Sequence, residues 1–188
     1  MPEETIVNPE QTSAFESPWS GSSRALRVLW EFCWVTFCVW TPKPLNPWRL
    51  FWLRVFDAKI YGTPFVHQRA RIEIPWNLTL HDRACLGDRA NAYSLGQIEI
   101  GARATIAQEV YLDTGSHDFA KPGMPLVTAK ITIGEDAFIG ARAFVLPGVT
   151  IGARSVIGAC SVVTKDVPEN VIAAGNPCQV LRTRFEAA

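Results

Sequence analysis

The chain has 188 residues and carries 18 Lys or Arg against 18 Asp or Glu, so its formal net charge is zero. One domain's worth of chain this long buries a core of its own, and the balanced charge excludes the concentrated basic face on which nucleic-acid binding depends. The five cysteines, Cys33, Cys38, Cys85, Cys160 and Cys178, show no metal-ligand spacing and read as reduced thiols of a cytoplasmic protein, Cys160 as a small buried residue.

The opening "MPEETIVNPEQTSAFESPWSGSS", residues 1–23, is polar and rich in Pro and Ser. It lacks the basic and apolar regions of a cleaved signal and predicts a loosely ordered leader. Next comes "RALRVLWEFCWVTFCVW", residues 24–40, an aromatic stretch interrupted by Glu31 and stopped by Pro42 and Pro44. It falls short of the roughly 20 apolar residues that span a bilayer. Helix packing inside the protein is the preferred reading; the other is peripheral contact of residues 24–56 with a membrane interface or with another subunit. "NPWRLFWLRVFDAKIYG" follows, mixing aromatics with Arg49 and Arg54 and ending at Gly62. Together, residues 24–62 predict a helical cap on a different architecture.

From Val66 onward aliphatic residues recur every six positions: Leu80 and Leu86; Ile100, Ile106 and Leu112; then Ile133, Ile139, Val145, Ile151, Ile157 and Val163. Neither a helix nor an alternating strand has this period. Four places after these aliphatics the residue is small, as at Ala84, Ala104, Ala137 and Ser155, and one place after them glycine is common, as at Gly101, Gly134 and Gly152. A short strand with its aliphatic inward, followed by a small residue at which the chain turns, builds a three-sided coil. Stacked coils pair at about 4.8 Å, and each buried aliphatic contributes about 1.5–3 kcal/mol. The pattern is that of a hexapeptide β-helix, predicted over residues 63–170 in four to five coils, with residues 171–188 closing its far end. Between Ile72 and Leu80 the register is ambiguous, because Ile72, Ile74 and Leu78 cannot share one phase. The arginines three places after the aliphatics, among them Arg83, Arg103, Arg142 and Arg154, form an outward solvated row. His67 and His81 stand where other repeats place glycine and read as surface residues.

After Leu112 the next aliphatic in step would fall at position 118, yet the beat resumes at Ile133, so 133 − 118 = 15 residues are inserted. A loop, residues 113–130, leaves the prism there. Rigid scaffolds place reactive groups on such loops, and this one carries His117, one of only three histidines.

The segment "ITIGEDAFIGARAFVLPGVTIGARSVIGACSVVTKDVPENVIAAGNPCQVLR", together with "PLNPWRLFWLRVFDAKIYG", "PWNL" and "TGSHDF", resembles the left-handed β-helix acyltransferases. Within them it is similar to the branch of galactoside, maltose and nodulation-factor O-acetyltransferases, and more narrowly to colanic-acid-type exopolysaccharide acetyltransferases, over about residues 64–182. The resemblance implies a mainly β chain: a left-handed parallel β-helix with an N-terminal helical segment and a long inserted loop, assembled as a homotrimer in the cytoplasm. It implies acetyl-CoA as co-substrate in a groove between subunits, no metal, and direct transfer of acetyl to a hydroxyl of a sugar or lipid-linked glycan. His117 in "TGSHD" takes the place of the family's general base, a role that neutral imidazole suits near pH 7; in the alternative His117 only bonds the loop to the coil. Asp118 helps hold the loop. Ser94, with Asn91 nearby, stands where the family commonly has an Asn beside the acetyl group. The cofactor contacts implied are backbone near Ala141 and Ala159, the side chains of Thr164 and Lys165, and Phe138 in place of the family's usual Trp. Arg182 and Arg184 either meet the coenzyme's phosphates or are solvated charges. Trimeric γ-type carbonic anhydrases resemble the same fold, but Pro122 stands where their later zinc-binding histidine would fall, which disfavours a metal. The alternative acceptor is the amine of an amino sugar or another amine, and the third reading is a non-enzymatic β-helical scaffold.

Overall fold

Strands of two or three residues are too short to persist alone; here each strand of an inner coil is held by the strand one coil before it and one coil after. The computed structural model describes residues 6–7 and 19–185, so most of the predicted leader lies outside the described residues. Three parallel faces run the length of the prism. Face one comprises Lys59–Ile60, Leu78–Leu80, Ile98–Ile100, Ile131–Ile133 and Thr150–Ile151. Face two comprises Phe65–Val66, Cys85–Leu86, Thr105–Ile106, Phe138–Ile139, Val156–Ile157 and Val171–Gly175. Face three comprises Arg71–Ile72, Asn91–Tyr93, Tyr111–Asp113, Phe144–Val145 and Val162–Val163.

The register stacks like on like. Leu80, Ile100, Ile133 and Ile151 align on face one, Val66, Leu86, Ile106, Ile139 and Ile157 on face two, and Ile72, Ala92, Leu112, Val145 and Val163 on face three. All are buried and together they form the core. The faces make five complete coils and the start of a sixth, against the expectation of four to five. The first coil begins at Lys59–Ile60, inside the stretch assigned to the cap, and pairs with Thr79–Leu80. Among the described residues no earlier coil precedes this strand to supply a period, so only its partner reveals it. The ambiguous register resolves as a single 3-10 turn, Pro75–Asn77, which lets Ile72 and Leu80 keep step while Ile74 and Leu78 fill the corner, both fully buried.

Close approach of the coils dictates the glycines. A Cβ on Gly134 would lie 2.4 Å from the backbone nitrogen of Ala153, a distance no real contact sustains. Because this phase lies against the next coil, His67 is not on the surface as expected: it is 8% exposed, and its Nδ1 accepts a bond from the Arg69 backbone N–H at 3.3 Å. Burial pulls the His67 pKa down, which keeps the ring neutral. The outward phase is left-handed: Arg83, Arg103, Arg142 and Arg154 have φ between 57° and 61°. Arg142 reaches across one coil to Glu109 at 2.7 Å and Arg154 to Glu169 at 2.8 Å. Cys160 occupies the same phase with φ 58° and is exposed, correcting the expectation of a buried thiol; its place three positions after Ile157 outweighs its small size.

The ends need closure. Backbone N–H groups of each coil donate to carbonyls of the next, as from Arg71 to Ala90 at 2.9 Å, so the carbonyls of coil one have no coil to receive from. Helices α1 (Gly21–Phe37) and α2 (Asn46–Val55) supply the missing donors. Trp30 Nε1 donates to the Ile72 carbonyl at 2.7 Å, Trp34 Nε1 to Ala70 at 3.2 Å, Arg49 Nε to Val66 at 2.8 Å and Asn46 Nδ2 to Pro64 at 2.8 Å. Arg49 is fully buried with no carboxylate partner among the described residues, its Nη1 donating to Thr41 Oγ1 and the Pro42 carbonyl and its Nη2 to the Lys43 carbonyl. No helix among the described residues is long and apolar enough to cross a membrane. At the other end Val171–Gly175 folds back through an antiparallel strand, Cys178–Thr183.

Replacing Arg49 by Met strands these carbonyls in the core and should lower stability by about 2–5 kcal/mol in chemical denaturation. Gly134→Ala, which forces a methyl into the adjacent coil, should cost about 1–3 kcal/mol in the same assay.

Candidate active site

Every departure from the six-residue step falls on one edge, where face three turns into face one. Between register partners there, Ile72 to Leu80 and Ala92 to Ile100 each take eight residues, Leu112 to Ile133 takes 21, and Val145 to Ile151 takes six. The edge carrying the largest excess carries the histidine.

The inserted residues are a hairpin and not a formless loop. Gly115–His117 pairs antiparallel with Leu126–Thr128, and Ile6–Val7 adds an outer strand against Val127 and Thr128. Its root is fixed by Thr114, which is fully buried: Oγ1 donates to the Tyr93 carbonyl at 2.6 Å and accepts from Gly96 N–H at 2.8 Å, while the Thr114 carbonyl accepts from Ala129 N–H at 3.0 Å. Beyond that root His117 is exposed, and its Nδ1 lies 2.7 Å from the Met124 carbonyl oxygen. A carbonyl only accepts, so Nδ1 holds the proton and Nε2 keeps the lone pair. In the neutral ring Nε2 is then the nitrogen with a lone pair to offer. Asp118 acts elsewhere: its N–H donates to the Pro125 carbonyl at 3.0 Å, Oδ1 accepts from Ala120 N–H at 3.1 Å, and Oδ2 lies 3.3 Å from Lys121 Nζ. It shapes the hairpin tip and so indirectly sets where the Met124 carbonyl points.

Beside the hairpin, face three presents an aromatic tract. Tyr111 stacks on Phe144 with centroids 4.9 Å apart and planes 5° apart, and Tyr93 lies 5.8 Å from Tyr111. Asp113 ends the same strand; burial pushes its carboxyl pKa up, against the Gly115 N–H, which donates to Oδ1 at 3.0 Å and favours the charge. Burial also raises the Tyr93 and Tyr111 pKa values, helped by Glu73 and Asp113. Asn91 sits half-buried in register with Tyr111. Sequence reasoning missed these two tyrosines and Asp113, although their places on either side of the inward Ala92 and Leu112 mark them as outward.

Ser94 is committed inward. It is fully buried, its Oγ accepting from Ile74 N–H and donating to the Ile74 carbonyl, both at 2.8 Å, which spends its proton on the longer corner of coil one. The cofactor candidates divide between places. Ala141 and Ala159 follow one another along the edge between faces two and three, where Cys160 N–H donates to the Ala141 carbonyl at 2.9 Å. Phe138 is exposed on face two. Thr164 and Lys165 are exposed on the edge that carries His117, two coils farther along. Arg182 is exposed on the closing strand, with Nη1 3.3 Å from the Thr183 carbonyl, while Arg184 Nη1 is held by the carbonyls of Arg154 at 2.8 Å and Asp136 at 3.2 Å. Within one chain face three separates Ala141 and Ala159 from His117. Among the described residues no three His, Cys, Asp or Glu side chains converge as metal ligands.

The family model for the bacterial transferase hexapeptide (six repeats) matches residues 130–165. WcaF of Escherichia coli K12, named as a colanic acid biosynthesis acetyltransferase, is 42% identical over 179 residues, 94% of this chain and 98% of that one. A maltose O-acetyltransferase from Clostridium difficile 630 has a solved structure that matches with a TM-score of 0.76 at 27% identity, over 89% of this chain and 90% of its own. The hexapeptide-repeat acetyltransferase VCA0836 of Vibrio cholerae, solved with acetyl-CoA, shares the fold with a TM-score of 0.80 at 23% identity, over 96% of this chain and 100% of its own.

If Thr114 pins the hairpin, Thr114→Val should cost about 1–3 kcal/mol. Hydrogen exchange should speed up at the amides of residues 115–117 and 126–128 and stay unchanged in the coils from residue 131 onward.

Proposed function

Because the chain belongs to the hexapeptide-repeat acetyltransferases, we propose that it moves acetyl from acetyl-CoA directly to a hydroxyl of a sugar in an exopolysaccharide or its lipid-linked precursor, with His117 as general base. The observation that carries the role of His117 is the Nδ1 bond to the Met124 carbonyl, which leaves Nε2 to take a proton. As the acceptor oxygen attacks the thioester carbonyl, Nε2 accepts the hydroxyl proton and a tetrahedral oxyanion forms. Collapse breaks the C–S bond, and the imidazolium returns the proton to the departing thiolate. No covalent acetyl-enzyme is needed. With Ser94 spent on Ile74, the oxyanion is left to a backbone N–H.

The exopolysaccharide acceptor rests on the likeness to WcaF across nearly the whole chain. The aromatic tract of Tyr93, Tyr111 and Phe144, with Asp113 beside it, suits a sugar: flat apolar rings for its C–H faces and a polar group for its hydroxyls. A homotrimer accounts for the division of the cofactor candidates. If neighbouring protomers abut along the prism axis, the Ala141 and Ala159 edge of one faces the His117 edge of the next, and the coenzyme lies between them with Phe138, Thr164, Lys165 and Arg182 along its length. Acetyl-CoA is made in the cytoplasm, and the proposed reaction takes place there.

In a coupled assay of CoA release with a panel of glycan acceptors, His117→Ala should lower kcat by about 10² to 10⁴-fold while the acetyl-CoA dissociation constant stays within about twofold. Wild-type turnover by this variant would refute the base assignment. The product should be an alkali-labile ester; a stable amide would show transfer to nitrogen instead.

A further inference from the structure

A cleft of about 880 Å³ opens between α1 and the first two coils, and no hairpin residue lines it. Five guanidinium groups line it: Arg24 and Arg27 from α1, Arg69 and Arg71 from coil one, and Arg89 from coil two. The acids on its walls are Glu31 and Glu73, and Asp88 and Glu109 beside it pair with two of the arginines, so 5 − 4 = 1 positive charge is left over. Three of the arginines are engaged, Arg27 with Glu73, Arg69 with Asp88, and Arg89 with Glu109 at 3.5 Å. Arg24 and Arg71 make no ion pair among the described residues. Two guanidinium groups of one concave place, Arg24 and Arg71, thus have no carboxylate partner among the described residues.

The remaining surfaces of the cleft are apolar. Trp30 and Trp34 form its inner wall with their indole N–H groups already given to Ile72 and Ala70. At the rim stand Val28 and Val35, 68% and 51% exposed, and the same helix continues outward with Phe32, 61% exposed. Guanidinium pairs bind phosphate oxygens in bidentate fashion, and an exposed aliphatic and aromatic helix face is suited to a hydrocarbon chain. One ligand class satisfies both halves.

We infer that this cleft receives the phosphate or diphosphate head of an amphiphile, with Arg24 and Arg71 on the oxyanions and the hydrocarbon chain along Val28, Phe32 and Val35. In taking that amphiphile to be the lipid carrier of the acceptor glycan, the inference rests on the acetyltransferase reading. The cleft lies at coils one and two, whereas Ala141 and Ala159 lie in coils four and five, so the phosphates it takes are not those of the coenzyme.

Calorimetry on the full chain with farnesyl diphosphate, inorganic pyrophosphate, farnesol and acetyl-CoA tests this. Farnesyl diphosphate should bind, while pyrophosphate and farnesol should each bind at least about tenfold more weakly. Arg24→Gln/Arg71→Gln should weaken farnesyl diphosphate at least about tenfold, and Arg83→Gln, an exposed arginine outside the cleft, should leave it unchanged. The inference is overturned if the double variant binds like wild type, if pyrophosphate alone binds as tightly as the amphiphile, if CoA displaces farnesyl diphosphate, or if farnesyl diphosphate does not bind. Acetyl-CoA binding in the same preparation separates the two readings: its presence without amphiphile binding removes only the cleft, and its absence removes the transferase reading.

Discussion

The structure depends on one constraint, the backbone spacing between successive coils. Hydrogen bonds such as that from Gly134 N–H to the Ile151 carbonyl at 2.7 Å draw neighbouring coils so close that at Gly134 and Gly152 the backbone leaves room for little but hydrogen, a Cβ on Gly152 coming within 2.3 Å of Glu169 N. A coil cannot slip by one residue without turning its aliphatics outward and driving side chains into that gap. The ladder is therefore stiff along its length and vulnerable only at its ends and corners.

Each feature beyond the repeat answers one of those vulnerabilities. The first coil's carbonyls need donors, and the aromatic helices provide them with two indoles, an amide and a guanidinium. The corner between faces three and one is where chain can be added without disturbing a ladder, since no strand pairing crosses it. There the extra residues grow from a 3-10 turn in coil one to a full hairpin in coil three, rooted by the buried Thr114 hydroxyl. The hairpin places His117 beyond the prism wall, while its pairing holds the ring's partner, the Met124 carbonyl, in place.

What was legible in the sequence is what repeats. Ile133, Ile139 and Val145 announce three faces because each phase recurs coil after coil, and the 15 residues out of step announce the insertion. Features that occur once carry no such redundancy. Lys59–Ile60 forms a strand only because Thr79–Leu80 lies beside it. The tie between Ser94 and Ile74 arises from a locally lengthened corner, and nothing in a serine's identity tells an inward hydroxyl from a ligand contact. The group that orients His117 is a backbone carbonyl, which every residue possesses, so no side chain could point to Met124. Cys160 differs because its residue type suggested burial, while its phase, shared with the outward arginines, decides its exposure; His67 shares its phase with the half-exposed His81, and only the packing around it, with Arg69 N–H donating to Nδ1, buries it.

The most direct test of this account is the tautomer of His117, read by nitrogen NMR on uniformly labelled protein with the resonances assigned through His117→Ala. The account predicts that the neutral ring carries its proton on Nδ1, bonded to the Met124 carbonyl, with Nε2 unprotonated. A neutral ring with its proton on Nε2 would contradict it, because the nitrogen proposed to deprotonate the acceptor would then have no lone pair to offer.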